Sequence, residues 1–171
     1  MSFKEKYGKI NIKLEGGHVD MSYTMDKVIT TFTGDNAFLD NDYTCRVNYN
    51  GVVYNCVTTA YLAQKLLYPE ARGEFSELNA AEARGVISKL PCISEKSWND
   101  SKDIVLLDAI RAKFEPLDMQ EKLRSTEGYF IGDVTKSDEL FEKTCSSLMV
   151  VRDGILEKSS EGFRDSFDGL I

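Results

Sequence analysis

The chain has 171 residues, 42% hydrophobic and 29% charged, with a formal net charge of −7 at pH 7; that length suits one domain with a real core. Basic residues are interspersed with acids, as in Lys4-Glu5-Lys6 and Glu121-Lys122, which disfavours general binding to a phosphate backbone while leaving room for a pocket that takes one nucleotide. No apolar run nears the roughly 20 residues that span a bilayer, and residues 1–6 lack the apolar stretch of a secretory signal, so the expected location is the cytoplasm, with no membrane partner.

The first third reads as strands. Ile10, Ile12 and Leu14 alternate with polar residues, Glu15-Gly16-Gly17-His18 supplies turn chemistry, and Val19, Met21, Tyr23 and Met25 alternate again. That pattern predicts a β-hairpin over residues 9–25 with one buried face. Residues 28–32 are apolar and β-branched and suit a third strand. Residues 45–49 and 52–54 flank Asn50-Gly51, the strongest short hairpin dipeptide.

From Thr58 the period becomes helical. Thr58 or Thr59 is expected to cap a helix that runs to Leu67 and stops before Pro69. Asn79 is expected to cap a helix over 80–90, closed by Pro91. Asp100 or Ser101 is expected to open a helix whose Ile104, Leu107, Ile110 and Phe114 share one face. Ser137 is expected to open another, with Leu140, Phe141, Cys145, Leu148 and Val151 on its stripe. Beyond Gly154 the serines and glycines read as a loop or frayed end, residues 155–171, which Phe163, Phe167, Leu170 and Ile171 can dock to the body. The sum is a single α+β domain: N-terminal hairpins and short strands packed against a mainly helical body of four or five helices.

Cys45, Cys56, Cys92 and Cys145 form no CxxC pair, and His18 is the one histidine. Scattered ligands of this kind do not build a zinc site. No resident metal and no cofactor is expected, and the cysteines are expected to be reduced thiols, mostly buried as small apolar groups.

Several short elements, in order, resemble the YbiA-like (NADAR) N-glycosidase family. Gly51 to Lys65 is similar to the family's glycine, aromatic and Val-Glu-His-Ala-Tyr-Gln-Ala-x-Lys helix, and Phe38-Leu39-Asp40-Asn41-Asp42 to its Leu-Ser-Asn-Phe element. Trp98 and Arg111-Ala112-Lys113-Phe114 resemble its Trp and Lys-Phe. Leu123 and Thr126 resemble its Leu-x-x-Thr-Gly step, and Leu148-Met149-Val150-Val151-Arg152 its closing Leu-Met-x-x-Arg helix. The likeness spans about residues 32–152. It implies a scaffold that cleaves N-glycosidic bonds, in a riboflavin-pathway ribosylamino intermediate or in ADP-ribose joined to a nucleobase. Such cleavage develops oxocarbenium-like charge on the ribose, which a nearby carboxylate stabilises.

The sequence departs from that pattern at its chemical centre. The family's Glu-His pair falls on Thr58-Thr59, its Gln on Leu62, and the Phe of Leu-Ser-Asn-Phe on Asp42. Its Trp-Gly and following glycine-rich loop are replaced by Phe141-Glu142, which runs almost directly into the last helix. The resemblance leaves Asn41, Tyr61, Lys65, Trp98, Lys113 and Phe141 as ligand-binding residues. It leaves Asp133 and Asp138 as the carboxylates at the family's later Glu and Asp, with Asp42 a further one. Each has a structural alternative: core aromatics for Tyr61 and Trp98, helix C-terminal cations for Lys65 and Lys113, a helix N-terminal acid for Asp138, and turn residues for Asn41 and Asp133.

Two functions therefore stand side by side. One is a protein that binds ADP-ribose, a nucleotide or a protein partner at a degenerate site without efficient turnover. The other is an active N-glycosidase whose acid has moved. If the site persists, Asn41, Lys65, Trp98 and Lys113 are expected to converge on one cleft.

Overall fold

The computed structural model describes residues 27–133 and 135–168, with side chains to Glu161. The hairpin expected over 9–25 lies outside the described residues.

Strand β1, Val28–Ile29, lies parallel to β4, Phe130–Ile131. The strand expected over 28–32 is thus only two residues long; it gives way to a 3₁₀ helix, Gly34–Leu39, that buries Phe38 and Leu39. β2, Val47–Tyr49, and β3, Val52–Tyr54, form the expected antiparallel hairpin. Its turn puts Asn50 at φ 50° and Gly51 at φ 79°, the pair of positive values that a two-residue turn with the right-handed strand twist demands.

Helix α1, Val57–Ala63, begins and ends before its expected bounds. Its N-cap is Cys56, not a threonine. Thr58 and Thr59 lie inside the first turn and are buried, so their hydroxyls serve side chains rather than the helix end. Beyond Gln64 the backbone turns, and Leu66 bridges Cys92 across an isolated antiparallel contact. A 3₁₀ segment, Pro69–Glu77, leads to α2, Ala80–Ile87. Here the expected cap is present in reciprocal form: Asn79 accepts from Glu82 N–H, and Glu82 accepts from Asn79 N–H, satisfying two orphan donors.

Helix α3, Glu95–Lys113, starts more than a turn before the expected Asp100, because Ser94 caps it through Ser97 N–H. The buried stripe is Leu106, Ala109, Ile110 and Lys113, the i, i+3, i+4, i+7 face. Ile104 falls off that face and is 64% exposed, contrary to the expected stripe. α4, Leu117–Arg124, was not among the expected helices; it follows Pro116, whose missing N–H costs nothing at a helix start.

The last helix, α5, Glu139–Asp168, runs straight through Gly154. The frayed tail expected after Gly154 is helical at least to Asp168. Val151 and Arg152 on one side of the glycine are buried, and Ile155 on the other packs on the core. That packing outweighs the roughly 1 kcal/mol a mid-helix glycine costs.

α3 packs on α5 and α1, and α1 on α2. At their centre Leu39, Val57, Ile110, Leu123 and Leu148 are essentially inaccessible; burying such a side chain is worth roughly 1.5–3 kcal/mol. Arg152 is buried among them. Its NH1 donates to Thr126 O at 2.7 Å and Tyr129 O at 2.8 Å, tying α5 to the turn that feeds β4. The four cysteines are free thiols. Among the described residues no helix is long and apolar enough to cross a membrane. The arrangement is α+β, short strands with a mainly helical body.

Candidate functional site

Three consecutive residues, Asp40 to Asp42, follow the first 3₁₀ helix, and each is fastened to a different part of the body. The Asp40 carbonyl accepts from Lys113 Nζ at 2.7 Å. The Asn41 carbonyl accepts from Thr58 N–H at 3.0 Å, and Asn41 Nδ2 donates to Thr144 Oγ1 at 2.8 Å. The Asp42 carboxylate takes both terminal nitrogens of Arg84, each at 2.7 Å, and also the hydroxyl of Thr58. One short loop therefore links α1, α2, α3 and α5.

This loop borders a cleft of about 380 Å³. Opposite stands the start of α5, where Asp138 Oδ1 accepts from Phe141 N–H at 2.7 Å, the helix N-terminal role open to it from the sequence. The rings of Phe32 and Phe141 pack 5.4 Å apart at 32°, and both line the cleft. Lys136 Nζ sits 4.4 Å from the Phe141 ring centre, within cation–π range. The cleft thus holds two cations, Arg84 and Lys136, three carboxylates, Asp40, Asp42 and Asp138, and an aromatic pair.

Its electrostatics are dominated by the Asp42–Arg84 pair. Burial alone raises the Asp42 carboxyl, but the hydrogen bonds from Arg84 and Thr58, with the charge of Arg84, outweigh it and hold Asp42 below the usual carboxylate value of 3.8. Asp42 is thus a spoken-for anion. Asp40 Oδ1 accepts from Asp42 N–H at 2.7 Å. Asn41 differs: its Oδ1 is buried with no donor among the described residues, an acceptor left open beside the cleft.

Of the residues singled out from the sequence, Asn41, Asp42, Asp138 and Phe141 line this cleft together with Thr58. The others do not line it. Tyr61 and Trp98 pack edge to face, 4.8 Å apart, with Lys65 Nζ 5.6 Å from the Trp98 ring. Burial pushes the Tyr61 hydroxyl up to about 12, as for a phenol packed against the body. Lys113 is almost wholly buried, its Nζ also 5.5 Å from the Tyr43 ring. Burial pushes its ammonium down to about 8, against the opposing pull of Cys45, Asp40 and Cys56. It reaches the site through the Asp40 carbonyl. Asp133 folds back on its own turn: Oδ1 accepts from Thr135 Oγ1 at 2.6 Å and Thr135 N–H at 2.9 Å. Those bonds, the side-chain one foremost, hold its carboxyl below 3.8.

The expected convergence of Asn41, Lys65, Trp98 and Lys113 therefore does not occur, because Lys65 and Trp98 lie toward the far end of α1 and the first turn of α3. Sequence reasoning missed Arg84, Lys136 and Phe32. No local motif marks Arg84; its partner lies 42 positions away.

No protein-family model matches the sequence, and no curated protein is significantly similar to it. The fold does have a counterpart. It is similar to the NMR structure of the E. coli protein YbiA, with a TM-score of 0.69 and 19% sequence identity over 81% of this chain and 91% of that one. At that identity the likeness speaks for architecture: this chain is an α+β protein with the YbiA fold.

Proposed function

We propose that the cleft binds a nucleotide-like anion of the ADP-ribose class without efficient turnover. The observation that carries this reading is the Asp42–Arg84 pair. It places a guanidinium at the cleft, where three further N–H groups remain for a phosphate. It also neutralises the carboxylate best placed to meet a ribosyl cation, so the electrostatic stabilisation that N-glycosidic cleavage needs is spent within the protein. Phe32 and Phe141 offer a base an aromatic wall, Lys136 a second cation, and Asn41 Oδ1 an acceptor for a ribose hydroxyl. Asp138, engaged as a helix cap, and Asp133, engaged with Thr135, are poorly placed to serve as the acid.

A second reading has one specific observation in its favour. Thr58 stands where the related glycosidases carry a Glu, and its hydroxyl touches Asp42. A carboxylate is thereby present one hydrogen bond away from that position, supplied by the loop instead of the helix. In this reading Asp42 is the relocated acid and ligand binding draws Arg84 off it.

Calorimetry with ADP-ribose, run beside product detection on an ADP-ribosylated nucleoside, separates the two. Binding without product, weakened about tenfold in Arg84→Met as expected for losing charge-assisted hydrogen bonds, supports the first. Many turnovers per protein, abolished in Asp42→Asn, establishes the second. No heat and no product overturns both.

A further inference from the structure

Helices α3, α4 and α5 enclose a second groove, of about 630 Å³, that shares no lining residue with the cleft. Its volume falls in the range of small-molecule sites. Phe114, Val151 and Ile155 give it an apolar floor. Three cations stand around that floor, Arg111 on α3, Arg124 on α4 and Lys158 on α5, against one acid, Glu115. In a chain of net charge −7 this is a local excess of the opposite sign.

The cations are incompletely satisfied. Arg124 donates one terminal N–H to Ser159, but its Nε is buried with no hydrogen-bond partner among the described residues. A desolvated guanidinium donor left unpaired costs free energy that an anionic acceptor recovers. Among the described residues the Arg111 guanidinium meets only Asp108, at 3.2 Å and with its side chain 55% exposed. Lys158 has no ion-pair partner among the described residues. Gly154 keeps the wall open, since a Cβ there would meet nothing within 4 Å.

We propose that this groove is a binding site for a small amphipathic anion. The apolar body lies on Phe114, Val151 and Ile155, and a phosphate or carboxylate is held by Arg124, Lys158 and Arg111. Arg111 and Arg124 do stand in the last turns of their helices, where the dipole favours cations. That role accounts for neither Lys158, nor the apolar floor, nor the unpaired Nε.

The test uses the full chain and 8-anilinonaphthalene-1-sulfonate, an apolar fluorophore with one anionic group. Fluorescence titration is expected to show one saturable site. Octyl phosphate or octanoate should displace the dye, and whichever does so at lower concentration identifies the headgroup; octyl glucoside, with the same chain and no charge, should not. Lys158→Met, at an exposed position that leaves the fold intact, should weaken binding about tenfold, as should Arg124→Met. Gly154→Phe should block it while circular dichroism stays native. Displacement by octyl glucoside as readily as by the anions, unchanged affinity in Lys158→Met and Gly154→Phe, or the absence of saturable binding would overturn the proposal.

Discussion

The hydroxyl of Thr58 donates to the carboxylate of Asp42, a residue sixteen positions earlier on a different element. A carboxylate introduced at position 58 would therefore face one already there. Thr58→Glu is expected to destabilise the protein by about 1–3 kcal/mol, the range for a poorly compensated charge at a buried site. Asp42→Asn in the same chain should recover part of that loss, because one charge then replaces two. Urea unfolding of both single variants and the double gives the coupling directly; strictly additive effects would show that the two side chains do not interact.

The Asp42–Arg84 pair makes a pH-dependent contribution with a definite sign. Asp42 is held below 3.8 in the folded protein, so the unfolded chain binds the proton first as pH falls. The stabilisation is complete above the unfolded value and disappears as the pH drops through the folded one. Because both side chains are more than a third exposed, solvent screening limits it to about 0.5–1 kcal/mol. Wild type should exceed Asp42→Asn by that amount at pH 7, and the two should converge in strong acid. A gap that persists in strong acid would assign the effect to packing instead.

Lys113 works in the opposite direction. Its folded value of about 8 lies below the ordinary 10.5. Between those two the unfolded chain holds a proton that the folded one has released, so stability rises with pH across that window. Buried phenols and thiols titrate nearby, which makes the difference between wild type and Lys113→Met the useful quantity. That difference should shift in favour of wild type from pH 8 to pH 10. Lys113→Met should also loosen the Asp40 carbonyl, read as faster amide exchange at Thr58 and at the Asp40–Asp42 loop.

Gly154 lies within α5 with open space around its Cβ position. Gly154→Ala is expected to raise stability by about 0.5–1 kcal/mol through helix propensity, or roughly 1–4 °C in the midpoint of thermal unfolding. A lower midpoint would mean that the glycine serves a contact beyond its own helix.

Legibility followed distance along the chain. Asn50-Gly51 and the Asn79 cap were readable because a turn and a helix start are decided within four residues. Gly154 misled because a helix stop is a local preference and the apolar packing of α5 overrides it. The α3 stripe was misphased since Ala109 and Lys113 do not look like core residues, yet they occupy the face where the helix meets its neighbours, while Ile104 faces solvent. At the site, Asn41, Asp138 and Phe141 could be singled out one by one. The pairing of Asp42 with Arg84 could not, because it exists only once α2 is packed beside the loop.

The parallel pair of β1 and β4 has a consequence for how the protein is made. Val28 pairs with Phe130, more than a hundred positions downstream. A ribosome adding about 5–20 residues each second delivers the second strand many seconds after the first. Throughout that interval the nascent Val28-Ile29 edge lacks its strand partner among the described residues, and only the late arrival of Phe130-Ile131 can close the ring of chain between them. Closure over so long a span is slow. Truncation upstream of residue 130 should therefore yield a chain that engages chaperones and fails to release as a folded product, whereas removal of the helix beyond Ser160 should not.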